Sequence, residues 1–157
     1  RPETDLVFIR ENTEGVYSGI ESEIAEGVTT LTRVITDDAS RKIARYGFEY
    51  ADSNGFDDVT VAHKANVMRM TDGQFLESAV AVAEEEGYEY DDALMDALAM
   101  HLLLRPEEYG VVICPNLAGD VLSAGSRFGT RHRRTGDREP RGDGAFGGDA
   151  ARSSRLR

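Results

Sequence analysis

Arg10-Glu-Asn-Thr-Glu-Gly-Val-Tyr17 sets a guanidinium, an amide, two carboxylates and a phenol on one short segment, directly after the apolar run Leu6-Val7-Phe8-Ile9. Arg10 can grip a carboxylate through two parallel hydrogen bonds. Tyr17 can deliver a proton if a nearby cation lowers its pKa. Together they suit an anionic substrate that must be both held and protonated. Plainer roles stay open: a surface ion pair for Arg10, a core position for Tyr17. His63-Lys64-Ala65-Asn66 and Asn116-Leu-Ala-Gly-Asp120 also follow short apolar runs. Lys64 is either a desolvated general base or an ordinary solvated lysine. His63 reads as structural, holding its loop by hydrogen bonds. Asp96 lies in the largely apolar stretch Ala93–Met100 and needs a partner, a cap or a cation. Asp96 and Asp120, with water and substrate oxygens, could bind Mg²⁺ or Mn²⁺, although their spacing alone is unspecific. Three polar clusters at the ends of apolar runs point to one site at the rim of a sheet.

The elements that would position these residues alternate. Asp5 to Arg10 predicts a buried strand, and Val16 to Ile24 a strand or arm. After a turn at Glu26-Gly27, the β-branched run Val28 to Thr36 predicts a strand. Asp37 or Asp38 should cap a helix reaching Asn54 and stopping at Gly55, with Ile43, Tyr46, Gly47 and Tyr50 on one face. A short strand follows over 58–63. Thr71 should cap a helix to Glu86 that buries Phe75, Leu76, Ala79, Val82 and Ala83, with Gly87 at its end. Tyr88 to Tyr90 is a candidate strand. Asp91 or Asp92 should cap a helix to about Leu104, which Pro106 stops. Val111 to Cys114 predicts a buried strand and Leu117 to Ala124 a helix. Exposed apolar faces around Phe75 and Met95 should make an isolated monomer associate. The alternation predicts an α/β fold.

Charge divides the chain at the same place as periodicity. Residues 1–124 carry 25 acidic and 9 basic side chains, and residues 125–157 carry 4 and 9, giving the net −11. The first part reads as one domain. The second, rich in Arg and Gly, cannot offset its ordering entropy and is expected to be disordered. A GC-rich gene read in a shifted frame would yield such a tail; a natural basic tail is the alternative. An acidic surface with only Lys42 and Lys64 for lysines suits a protein kept soluble in concentrated salt, or an ordinary acidic cytosolic one. Nucleic acid is not expected as a partner of that surface. The single cysteine, Cys114, allows no internal disulfide. No membrane span and no signal peptide are visible, so a cytoplasmic location is expected. Arg1-Pro2 without a Met start suggests a processed, trimmed or partial chain.

Taken together, residues 10–19, 63–67 (His-Lys-Ala-Asn-Val), 95–102 (Met-Asp-Ala-Leu-Ala-Met-His-Leu) and 115–123 (Pro-Asn-Leu-Ala-Gly-Asp-Val-Leu-Ser) resemble the β-decarboxylating dehydrogenases of isocitrate, 3-isopropylmalate and homoisocitrate. The resemblance covers residues 4–123. Asp-Ala-Leu-Ala-Met-His-Leu and Lys-Ala-Asn-Val-Met look most like an archaeal-type 3-isopropylmalate branch, which belongs to leucine biosynthesis. The resemblance implies an isopropylmalate dehydrogenase-like fold, mainly its substrate and dimer-forming domain. It also implies oxidation of a small hydroxy-diacid or triacid with hydride transfer to NAD or NADP, followed by loss of CO₂. Lys64 would be the base and Tyr17 the acid. Arg10 and Asn66 would bind substrate, with Asn66 and Asn116 near the cofactor. Asp120 would ligate Mg²⁺ or Mn²⁺ in its own subunit, and Asp96 in the partner's, making a homodimer with Val16–Thr36 in the intersubunit arm. All these groups are expected to converge around one substrate.

The chain departs from the family pattern at both ends. Ala124 stands where the family has a further metal-binding aspartate, and the downstream His-Gly-Ser-Ala-Pro loop for the adenosine half of the cofactor is absent. A region expected before Arg1, with half of the nucleotide-binding domain, is also absent. Three readings result: a fragment of 3-isopropylmalate dehydrogenase, a fragment of isocitrate or homoisocitrate dehydrogenase, or a non-catalytic dimerising remnant.

Overall fold

The structure is a computed structural model that describes residues 5–126 and 132–134. Five parallel strands form its sheet, in the order β5-β4-β6-β1-β7: β1 (Leu6–Arg10), β4 (Val59–His63), β5 (Asp91–Leu94), β6 (Val111–Cys114) and β7 (His132–Arg134). Parallel strands must be buried on both faces, which is why the inner ones read as unbroken apolar runs. Alternate residues of the inner strands sort into two cores. Val7, Ile9, Val111 and Ile113 pack with α1 (Asp37–Asn54) and α2 (Thr71–Glu86), through Phe48 and Phe75. Leu6, Phe8, Val112 and Cys114 pack with α3 (Met95–Leu104) and α4 (Asn116–Ser126), through Leu98 and Leu122. The α/β architecture expected from the alternation is present. A two-stranded antiparallel ribbon, β2 (Gly15–Ala25) with β3 (Val28–Val34), projects from it, and most of its residues are exposed.

Several local expectations need correction. The N-cap of α1 is Thr36, whose hydroxyl accepts from the Ala39 N–H, while Asp37 and Asp38 sit in the first turn where acids favour the helix dipole. Its buried face is Ala44, Gly47, Phe48 and Ala51, with Ile43, Tyr46 and Tyr50 only partly covered. Gly47 is needed there, because a Cβ would lie 2.5 Å from the Ile113 side chain. Met70, not Thr71, precedes α2, and no side chain caps that end. The strand expected over 88–90 is instead 91–94, so Asp91 and Asp92 extend an edge strand rather than capping a helix. Phe75 is fully buried, so α2 does not offer the exposed face expected around it. On α3, the helix that Met95 opens, the expected exposed face is present in Met100, Leu103 and Leu104, and Leu117 and Val121 on α4 are exposed as well.

Beyond residue 124, α4 runs to Ser126 and residues 132–134 pair in parallel with β1. The shifted-frame reading of the tail otherwise concerns residues outside those described. No described helix is long and apolar enough to cross a membrane.

Candidate active site

Parallel strands deliver their carboxyl ends to one edge of the sheet, where ligands of open α/β folds collect. Arg10 ends β1, Lys64 follows β4, Asp96 opens α3 after β5, and Asn116 opens α4 after β6. The rim expected from the three clusters is therefore real, and its charged groups fall into two sets.

The first set joins β1, β2 and α4. The Arg10 guanidinium pairs with Asp120. Its Nε and Nη2 also donate to Asn116 Oδ1, at 3.0 and 2.5 Å. Tyr17 Oη donates to Asp120 Oδ2 at 2.5 Å, and the guanidinium lies 5.7 Å from the centre of the Tyr17 ring. Gly119 makes room for this arrangement: a Cβ on it would lie 2.6 Å from Arg10 Cγ. Asn116 is 2 % exposed, and its Nδ2 donates to the Glu14 carbonyl at 2.8 Å. Asn116 is thus the clamp of the set, its side chain engaged inside the protein. Tyr17 is half exposed rather than packed in the core. The hydrogen bond to Asp120 raises the Tyr17 phenol above its ordinary value, aided by desolvation and the charge of Asp120, and Arg10 opposes this only in part. A cation was expected to lower that pKa; the carboxylate prevails because it accepts the phenol proton directly.

The second set joins β4, the loop after it and α3. Lys64 Nζ donates to Asp96 Oδ1 at 2.7 Å. The Asp96 carboxyl is held below its usual range, first by that bond and then by main-chain N–H groups at the start of α3. Beside it, Ala65 N–H donates to His63 Nδ1 at 3.1 Å. Nδ1 is then an acceptor, which assigns the His63 proton to Nε2, where Asp92 Oδ2 receives it at 2.8 Å. His63 is buried and holds its loop, as its setting in the sequence suggested. Asn66 is exposed on the turn after Lys64. Among the described residues, no direct hydrogen bond or ion pair links the two sets.

Two buried carboxylates, whose burial the sequence does not reveal, brace the rim. Asp72 is 1 % exposed, receives the Lys64 main-chain N–H at 2.6 Å and faces Arg33 of β3 at 2.5 Å. The Glu14 carboxylate, also buried, receives Thr36 N–H and Oγ1–H at 2.7 and 2.9 Å, tying the root of the ribbon to the start of α1. Nothing in hydropathy distinguishes such carboxylates from solvated ones, since the evidence for burial is the partner.

A divalent cation does not fit one chain alone. Both Asp120 oxygens are engaged by Arg10 and Tyr17. Ala124, one helical turn on, offers no side-chain oxygen. Among the described residues, no three His, Cys, Asp or Glu side chains gather as ligands. These residues offer no built dinucleotide site either: Asn116 is spent internally, and Asn66 stands by itself on its turn.

A sequence model described as isocitrate/isopropylmalate dehydrogenase matches residues 1–128. The NAD isocitrate dehydrogenase subunit alpha of Homo sapiens, a mitochondrial protein, is 45% identical over 125 residues, which is 78% of this chain and 34% of that protein. The NAD isocitrate dehydrogenase regulatory subunit 3 of Arabidopsis thaliana, also mitochondrial, is 47% identical over 76% of this chain and 33% of its own length. The crystal structure of isocitrate dehydrogenase from Methylococcus capsulatus matches with a TM-score of 0.72 at 38% identity, covering 76% of this chain and 37% of that one. The chain spans about a third of the length of the curated relatives it matches. These relatives carry isocitrate names, so the expected archaeal-type 3-isopropylmalate branch gives way to the broader assignment. The chain belongs to the isocitrate/isopropylmalate dehydrogenase family.

Proposed function

We propose that this chain supplies the substrate-binding and dimer-forming part of an NAD-dependent isocitrate dehydrogenase, with the acid half and the base half of each site coming from different copies. The observation that carries this reading is the division of the rim: Tyr17 stands with Arg10 and Asp120, while Lys64 stands with Asp96. The family resemblance sends Asp96 to the partner's site. Lys64, bonded to Asp96, goes with it. The apolar side chains exposed on α3, α4 and the ribbon, among them Leu103, Leu104, Val121 and Leu31, support a second copy as the neighbour. The isocitrate names of the relatives support a tricarboxylate over isopropylmalate.

In this reading Arg10 exchanges part of its grip on Asp120 and Asn116 for a substrate carboxylate, with the same fork geometry. Lys64, as the free amine, accepts the hydroxyl proton of the 2-hydroxy acid. Tyr17 enters protonated, because Asp120 holds its proton on, and gives that proton to the carbon that has lost its carboxylate. Hydride acceptance and any metal chemistry fall to groups that the described residues do not hold, and no step of theirs is derived. The test is NAD reduction on supplying isocitrate and, separately, 3-isopropylmalate with NAD and Mg²⁺. Turnover of isocitrate alone supports the reading. Turnover of isopropylmalate alone overturns the substrate, and turnover of neither favours the non-catalytic, dimerising alternative.

A further inference from the structure

We infer that Asp72 is a positioning residue for Lys64, holding the main chain from which the amine is presented, with Arg33 of the ribbon as its counter-charge. This rests on the reading of Lys64 as the base. The Lys64 N–H lies just beyond the end of β4, and it donates to Asp72 Oδ2 at 2.6 Å. Asp72 sits in the first turn of α2, where the helix dipole favours a carboxylate, and is 1 % exposed. It is anchored in turn, since its own N–H donates to the Met68 carbonyl at 2.9 Å, while the Lys64 N–H to Asp72 bond closes the loop of residues 64–72. Arg33 approaches Asp72 Oδ1 at 2.5 Å and donates to Met68 Sδ at 2.7 Å, bracing the second half of that loop. The approach to Asp72 is charge pairing without an aligned hydrogen bond: neither Arg33 Nε nor Asp72 Oδ1 has a hydrogen-bond partner. A buried carboxylate with one oxygen on a main-chain N–H and a cation at the other is expensive to keep. It leaves Lys64 little freedom of φ and aims its side chain at Asp96, 2.7 Å away.

The chain has only two lysines, and Lys42 on α1 is exposed, so each molecule carries its own control. The full 157-residue chain is acylated briefly with an amine-reactive ester, and the Lys64 to Lys42 labelling ratio is read by peptide mass spectrometry. Two double variants are compared with the parent. R33M/D72A removes both buried charges and the acceptor; R33M/D72N removes both charges but keeps an oxygen for the Lys64 N–H. The expected result is a ratio raised at least threefold in R33M/D72A and within about twofold of the parent in R33M/D72N. A general loosening would move both variants together, and equal ratios in the two overturn the inference. Should R33M/D72A not fold, hydrogen exchange of the parent decides: a Lys64 amide as protected as those inside β4 supports the role, and one exchanging at the open-loop rate overturns it. Neither readout needs turnover, so a failure of the isocitrate assay and a failure of this inference are separate results.

Discussion

Arg10, Tyr17 and Asp120 at one end of the rim are bonded to one another and clamped by a buried amide, while Lys64 at the other end is fixed through its main chain and reaches outward to Asp96, which is 65 % exposed. The first set is closed within the chain. The second is rigid at its base and open at its tip. The contrast shows that convergence at a sheet rim need not mean one complete site. A closed set can rest on internal partners until substrate displaces them, whereas a presented amine implies something to be presented to.

The contrast can be broken by mutation, and the largest effect should fall at the hidden base of the open set. Asp72→Ala leaves the largely buried Arg33 guanidinium without its counter-charge, which should cost about 3–5 kcal/mol. Asp120→Ala, which removes a partly exposed partner from the closed set, should cost about 1 kcal/mol or less. Urea unfolding compares the two, and equal losses would deny that one end is anchored more deeply. Asn116→Ala should be intermediate, at about 1–3 kcal/mol, because the Glu14 carbonyl loses its donor and Arg10 two bonds. Gly119→Ala should loosen Arg10 without touching Lys64, detected as faster arginine-directed labelling with unchanged Lys64 acylation.

The effect expected to be smallest at neutral pH concerns the floor between the two sets. Burial pushes the Cys114 thiol from 9.0 up to about 12. The native state then keeps a proton that the unfolded chain sheds, so this contribution to stability is whole below pH 9 and is lost as pH rises towards 12. Cys114→Ala should flatten the decline in urea midpoint above pH 9. In the parent, a thiol reagent at pH 9 should find Cys114 only after unfolding.

Much of the body was legible because its signals are local. Buried parallel strands read as apolar runs, Gly55 closes α1 in the left-handed conformation with φ 71°, and Pro106 follows the end of α3. The rim was legible too, since residues that follow parallel strands share an edge whatever their order in the chain. The exceptions were decided by tertiary context. Asp91 and Asp92 read as helix caps on propensity, yet pairing with β4 and the His63 partner make them strand. Asp72 and Glu14 look like any other acids of an acidic chain, and only their partners from β3, the Lys64 loop and the start of α1 reveal their burial. The grouping of Lys64 with Asp96 was likewise hidden, because membership of a rim does not say which neighbours touch.

The shared site is tested most directly by cross-linking cysteine variants, because Cys114 is fully buried and will not compete. Chains carrying Tyr17→Cys are mixed with chains carrying Lys64→Cys and treated with a short bis-maleimide. The account predicts covalent heterodimers from the mixture and little internal linkage in a chain carrying both substitutions. Internal linkage in the doubly substituted monomer, with no heterodimer from the mixture, would contradict it.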